Sequence, residues 1–179
     1  MDKINANKIL QEALSRSIGL PRYIEIMKGD PGTKEFKRMF NGYYKVRRNM
    51  GWQEIYYGVF IEAKKDPEKY SFERILKELY KSTQMIEASF SSKMLATIDS
   101  SKPIWDQYVL KNLGFHLKSK GENRLEKAVE LYSKIEIWYD SYINSSEGKE
   151  NIRVFDLMLP DYVSISNIKK IDCLLWARR

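Results

Sequence analysis

Residues 123–143 read NRLEKAVELYSKIEIWYDSYI. Leu125, Ala128, Tyr132, Ile135, Tyr139 and Tyr142 recur at intervals of three and four, the period that gathers apolar side chains on one stripe of an α-helix. Charged residues fill many of the remaining positions, with Glu130 four residues ahead of Lys134 in the favourable order. The spacing predicts a helix from about Asn123 to Ile143, the longest in the chain. Its stripe must be buried against other helices, which sets the expectation of an all-α fold.

Outward from this helix, the same reading holds. NSSEGK at 144–149 is polar and flexible in composition, and is the best candidate for a linker between lobes. Short helices are expected near 151–158 and 167–177, the latter capped by Ser166. Towards the N-terminus, a loop is expected at 114–122 and helices near 105–113 and 89–98, separated by a turn at 99–103. Ser71 caps an amphipathic stretch in which Phe72, Ile75, Leu76, Leu79 and Tyr80 follow helical spacing. Further helices are expected over 52–64, over the basic segment after Thr33, over 21–28 with Pro21 in its first turn, and over 4–18. No repeat or strand pattern occurs. The expectation is one compact all-α domain spanning 1–179, bilobal if 144–149 separates two lobes, with about eight to ten helices.

Composition agrees. Of 179 residues, 43% are apolar, enough for a core. Nine Gly and five Pro are too few for a turn-rich β chain. Cys173 is the single Cys and His116 the single His, so no internal disulfide and no zinc set can form from them. Cys173 falls among Ile168, Ile171, Leu174 and Leu175 and reads as a small buried hydrophobe. His116 reads as a structural side chain near a loop. The N-terminal stretch lacks the apolar region of a secretory signal, and no segment is long and apolar enough to cross a bilayer. A cytoplasmic protein without metal, cofactor or membrane partner is expected. Phosphate-cradling glycine loops and the nucleophile-elbow motif are missing from the sequence.

Charge is unevenly distributed. The sequence has 31 Lys and Arg against 24 Asp and Glu, a net charge of +7. KEFKRMFNGYYKVRR, residues 34–48, carries six bases (Lys34, Lys37, Arg38, Lys45, Arg47 and Arg48) and one acid, Glu35. Most of the net charge thus sits in one short segment, interleaved with Phe36, Phe40, Tyr43 and Tyr44. Cations can replace counterions at phosphates and rings can stack on unpaired bases, so Lys37, Arg38, Tyr43, Tyr44, Lys45, Arg47 and Arg48 are candidate nucleic-acid-binding residues. The competing reading is an amphipathic helix with Phe36, Met39, Phe40 and Tyr43 in the core and solvated bases outside.

One further stretch has a suggestive layout. In SFSSKMLATIDSSKPIWDQYV, small residues lead to Lys93, an apolar helix and a turn follow, and Asp106 opens the next helix beside Ile104 and Trp105. The layout resembles that of the helix-hairpin-helix DNA glycosylases over about twenty residues. The resemblance implies that SFSSK stands where the hairpin and its Lys stand, and that PIWDQYV is the Asp motif. Lys93 would then be the catalytic amine, attacking the anomeric carbon of a flipped-out nucleotide, and Asp106 would assist its deprotonation and stabilise positive charge on the sugar. Hairpin glycines are replaced here by Ser89, Ser91 and Ser92, and the Lys-to-Asp interval is shorter than in that family. The resemblance implies a DNA-binding repair protein with base-excision activity. The alternative is a non-enzymatic helical module that binds a protein partner. On that alternative Lys93 is a surface Lys at a helix start, and Asp106 a first-turn carboxylate favoured by the helix dipole.

Overall fold

A computed structural model describes residues 3–14, 19–118 and 122–178. Among the described residues it contains ten α-helices, two short 3-10 turns and no strand, an all-α fold. The helices are α1 Ala6–Leu14, α2 Leu20–Lys28, α3 Lys34–Tyr44, α4 Met50–Lys65, α5 Phe72–Thr83, α6 Ala88–Ile98, α7 Gln107–Leu113, α8 Arg124–Asn144, α9 Ser146–Met158 and α10 Asn167–Ala177. They group into two compact units: a middle unit of residues 19–99 and a terminal unit of residues 1–18 with 100–179.

In the middle unit, α2 packs on α3, α5 packs on α4 and α6, and α6 also meets α2 and α4. Its core is aromatic. Phe36, Phe40, Trp52, Tyr56, Tyr57 and Phe60 are all buried, and their rings meet edge-on or offset at 4.8–6.4 Å, a geometry that adds to the burial of ring area. Helix α5 contributes Phe72, Ile75, Leu76 and Leu79, as its periodicity predicts. The expected caps are present: the side chains of Thr33, Ser71 and Ser166 accept hydrogen bonds from the backbone N–H groups of Phe36, Arg74 and Lys169.

In the terminal unit, α1 packs on α9 and α10, and α10 also packs on α7 and α8. The stripe of α8 is buried at Ala128, Tyr132, Ile135, Tyr139 and Tyr142, while Leu125 is half-buried. Buried polar groups tie this unit together. The Asn151 side chain accepts from the Ala6 N–H at 2.9 Å and donates to the Ile4 carbonyl at 3.0 Å and the Tyr142 hydroxyl at 2.9 Å. The Tyr142 hydroxyl donates in turn to Glu147, which also accepts from the Ile4 N–H. On α10, Lys169 pairs with Asp172 at 2.7 Å and Lys170 with Asp156 at 2.7 Å; both lysines are buried.

Three boundaries differ from the sequence reading. Segment 144–149 is the tight α8–α9 turn inside the terminal unit, and α9 begins at Ser146 rather than near 151. Ser145 caps α9, and a Cβ at Gly148 would overlap the Tyr142 carbonyl oxygen, so only glycine fits the close turn. Helix α3 stops at Tyr44 because Lys45 adopts a left-handed conformation, φ 55°. Its N–H and that of Val46 both return to the Asn41 carbonyl. The first helix covers 6–14; residues 15–18 of the expected 4–18 helix, Ile18 among them, lie outside the described residues, as do 119–121 of the expected loop.

Candidate nucleic-acid interface

The basic segment is held on a rigid frame. Gly32 N–H donates to Asp30, the Thr33 hydroxyl donates to the Asp30 carbonyl, and Thr33 then caps α3. Phe36 and Phe40, one turn apart, are buried against Tyr57 and Phe60. Beyond Lys45 the chain turns sharply and Asn49 caps α4 by accepting from the Trp52 N–H. Asn41 donates to Gln53 at 2.8 Å, Gln53 donates to the Arg48 carbonyl at 2.7 Å, and the Tyr57 hydroxyl donates to Asn41 at 2.7 Å. This lattice fixes the 45–49 turn from beneath.

The frame divides the candidate residues. Arg38, Lys45 and Arg47 are exposed, as is Lys34 at the helix start. None of these four forms an ion pair among the described residues. Lys37, Tyr43, Tyr44 and Arg48 are turned to internal use. The Lys37 ammonium lies 5.1 Å from the centre of the Tyr57 ring. Tyr44 packs on Phe40 at 4.6 Å, and Tyr43 meets Tyr44 edge-on at 4.8 Å. Arg48 pairs with Glu87 at 2.8 Å and lies over Trp52 and Phe90. Glu87 is 5% exposed and also accepts from the Trp52 indole N–H at 3.0 Å. Arg48 is therefore a structural cation holding α4 to the start of α6. Sequence reasoning missed Glu87, which lies 39 residues from its partner and ahead of a run of small and apolar residues.

Lys93 and Asp106 fall in different units. Lys93 lies within α6, where Ser91 to Thr97 are all buried, and its ammonium is 5.1 Å from the Phe90 ring centre and 5.6 Å from that of Tyr44. It is 9% exposed, not the surface Lys of the non-enzymatic reading. Ser89–Lys93 are continuous helix, with no hairpin between them. Asp106 is the N-cap of α7, its carboxylate accepting from the Tyr108 N–H at 2.8 Å, with Ile104 and Trp105 buried beside it.

Other chemistry-bearing groups are accounted for locally. Cys173 is buried, and that burial pushes its thiol up to about 11. His116 is exposed in the segment after α7. Among the described residues no three His, Cys, Asp or Glu side chains gather as a metal ion would need. No described helix is long and apolar enough to cross a membrane. The chain matches no protein-family model, no curated protein and no solved structure.

Proposed function

We propose that this protein binds DNA through the outer face of α3 and the turn that follows it. The observation that carries the reading is the set of four exposed cations without an ion pair among the described residues (Lys34, Arg38, Lys45 and Arg47), held on a frame of caps, buried rings and side-chain amides. Cations on a fixed backbone need no loop ordering on meeting phosphates, and they release condensed counterions when they do. Each phosphate neutralised on B-DNA contributes about 0.9 to the slope of log affinity against log salt, so four contacts give about −3.6. Titration of fluorescent DNA at several salt concentrations tests this. Arg47→Gln is expected to flatten the slope by about one unit. Affinity that ignores salt would count against the reading and favour a hydrophobic protein partner.

Base excision is the narrower reading, and the burial of Lys93 within α6 supports it. An amine in such surroundings is a recognised covalent nucleophile. Its nitrogen would bond to the anomeric carbon as the bond to the base breaks. Loss of the amine proton and ring opening would leave an imine that borohydride reduces to a stable adduct. On this reading DNA containing damaged or abasic sites is trapped by the native protein and not by Lys93→Gln. Trapping that persists in Lys93→Gln would make the adduct incidental.

A further inference from the structure

We infer that the partner of the α3 face is duplex nucleic acid gripped by its phosphates, and not a single strand read by stacking; this rests on the nucleic-acid reading above. Proteins that hold single strands offer rings on which successive bases stack, each worth about 1–3 kcal/mol. The sequence places four rings among the bases of 34–48, which invites that comparison. In the structure Phe36 and Phe40 are buried, and Tyr43 and Tyr44 are half-buried and packed on protein neighbours. Phe36 is 1% exposed and Phe40 is fully buried. Tyr44 lies against Phe40, and Tyr43 is held edge-on by Tyr44 and sits against the α-carbon of Gly19, where an added Cβ would approach it to 3.1 Å. Trp52 and Tyr56, the next rings along the chain, stack on one another in the core at 4.8 Å. Tyr43 and Tyr44 are half-buried and the other rings are buried, so no ring of this segment is fully exposed.

What faces outward is mainly cationic, with Glu35 the one exposed acid of the segment. Lys34 and Arg38 are one helical turn apart, about 6 Å along the axis. Lys45 and Arg47 continue the charge past the helix end. Between Arg38 and Lys45, Gly42 is exposed with nothing within 4 Å of where its Cβ would stand, so the helix surface there is bare and a sugar–phosphate strand can approach closely. A duplex offers one phosphate charge per about 1.7 Å of its axis and a denser counterion atmosphere than a single strand. Cations without stacking rings therefore gain more from a duplex. A grip made through phosphates alone is indifferent to sequence.

The test compares a fluorescent duplex with each of its separated strands, using the full chain at several salt concentrations. The expected result is at least about tenfold tighter binding of the duplex, a slope near −3.6, and equal affinity for unrelated duplex sequences. Tyr43→Ala is expected to leave duplex affinity unchanged. Equal or tighter binding of a single strand, weakened by Tyr43→Ala, would overturn the duplex inference and leave nucleic-acid binding standing. A marked preference for one duplex sequence would overturn the phosphate-only grip. Binding of anionic phosphatidylserine vesicles with no binding of any polynucleotide would overturn both.

Discussion

Helices α3 and α5 belong to the same unit and share a design, yet their outer faces differ. Each is capped by a hydroxyl, each buries an apolar stripe, and each turns bases to solvent. On α5 most of those bases are answered within the helix: Arg74 pairs with Glu78 at 3.0 Å and Lys77 with Glu73 at 2.5 Å. On α3 and its following turn, Lys34, Arg38, Lys45 and Arg47 have no such partner among the described residues, while Arg48 is answered, from inside, by Glu87. Charge on α5 is spent on its own helix; charge on α3 is left for something else. On α5 acids fall at i+4 or i−4 and pair; on α3 the single acid, Glu35, stands three residues before Arg38 and forms no ion pair with it.

The largest effects are expected where a cation is buried with its acid, the opposite extreme from α3. Asp172→Ala takes the paired carboxylate from Lys169 in the terminal core and is expected to cost roughly 3–5 kcal/mol in denaturant unfolding. Ile135→Ala, an uncharged reference on α8, is expected to cost roughly 2–4 kcal/mol. Glu87→Ala strands the Trp52 indole N–H, but Arg48 is one-third exposed and can be resolvated. A loss of roughly 2–3 kcal/mol is expected, and a loss below about half of one would mean that Arg48 is as free as Arg47. The smallest effect belongs to α5: a double-mutant cycle between Lys77 and Glu73 should show a coupling under about 0.5 kcal/mol, as half-exposed pairs do.

The helical framework was legible because each helix carries its own periodicity and most carry a hydroxyl or amide cap. The α8 stripe, the Ser71 and Thr33 caps and the burial of Cys173 all followed from local pattern. Pairings across the chain were not legible. Lys169 and Lys170 look like surface bases in NIKKIDC, and only the positions of Asp172 and Asp156 explain their burial. Arg48 was indistinguishable from Arg47 until the fold brought Glu87 beneath it. Asp106 could be read as a carboxylate assisting the deprotonation of Lys93 or as a helix-start carboxylate, and the capping bond from Tyr108 is the geometry found. The division into units escaped notice because it joins residues 1–18 to 100–179 across the whole middle unit. A linker-like composition at 144–149 instead marked a tight turn.

The central claim is that α3, not net charge in general, makes the nucleic-acid surface. Two variants with the same loss of positive charge test it. One changes Lys34, Arg38, Lys45 and Arg47 to Gln; the other changes Lys69, Arg74, Lys77 and Lys81, the cations in and just before α5, to Gln. Both sets are exposed, so both variants should unfold near the native temperature. The measurement is affinity for a duplex as salt rises from low to physiological strength. The account predicts that the α5 variant keeps a slope near −3.6, whereas the α3 variant binds weakly with a slope close to zero. Equal weakening of the two variants would contradict it and assign the binding to the protein's overall charge.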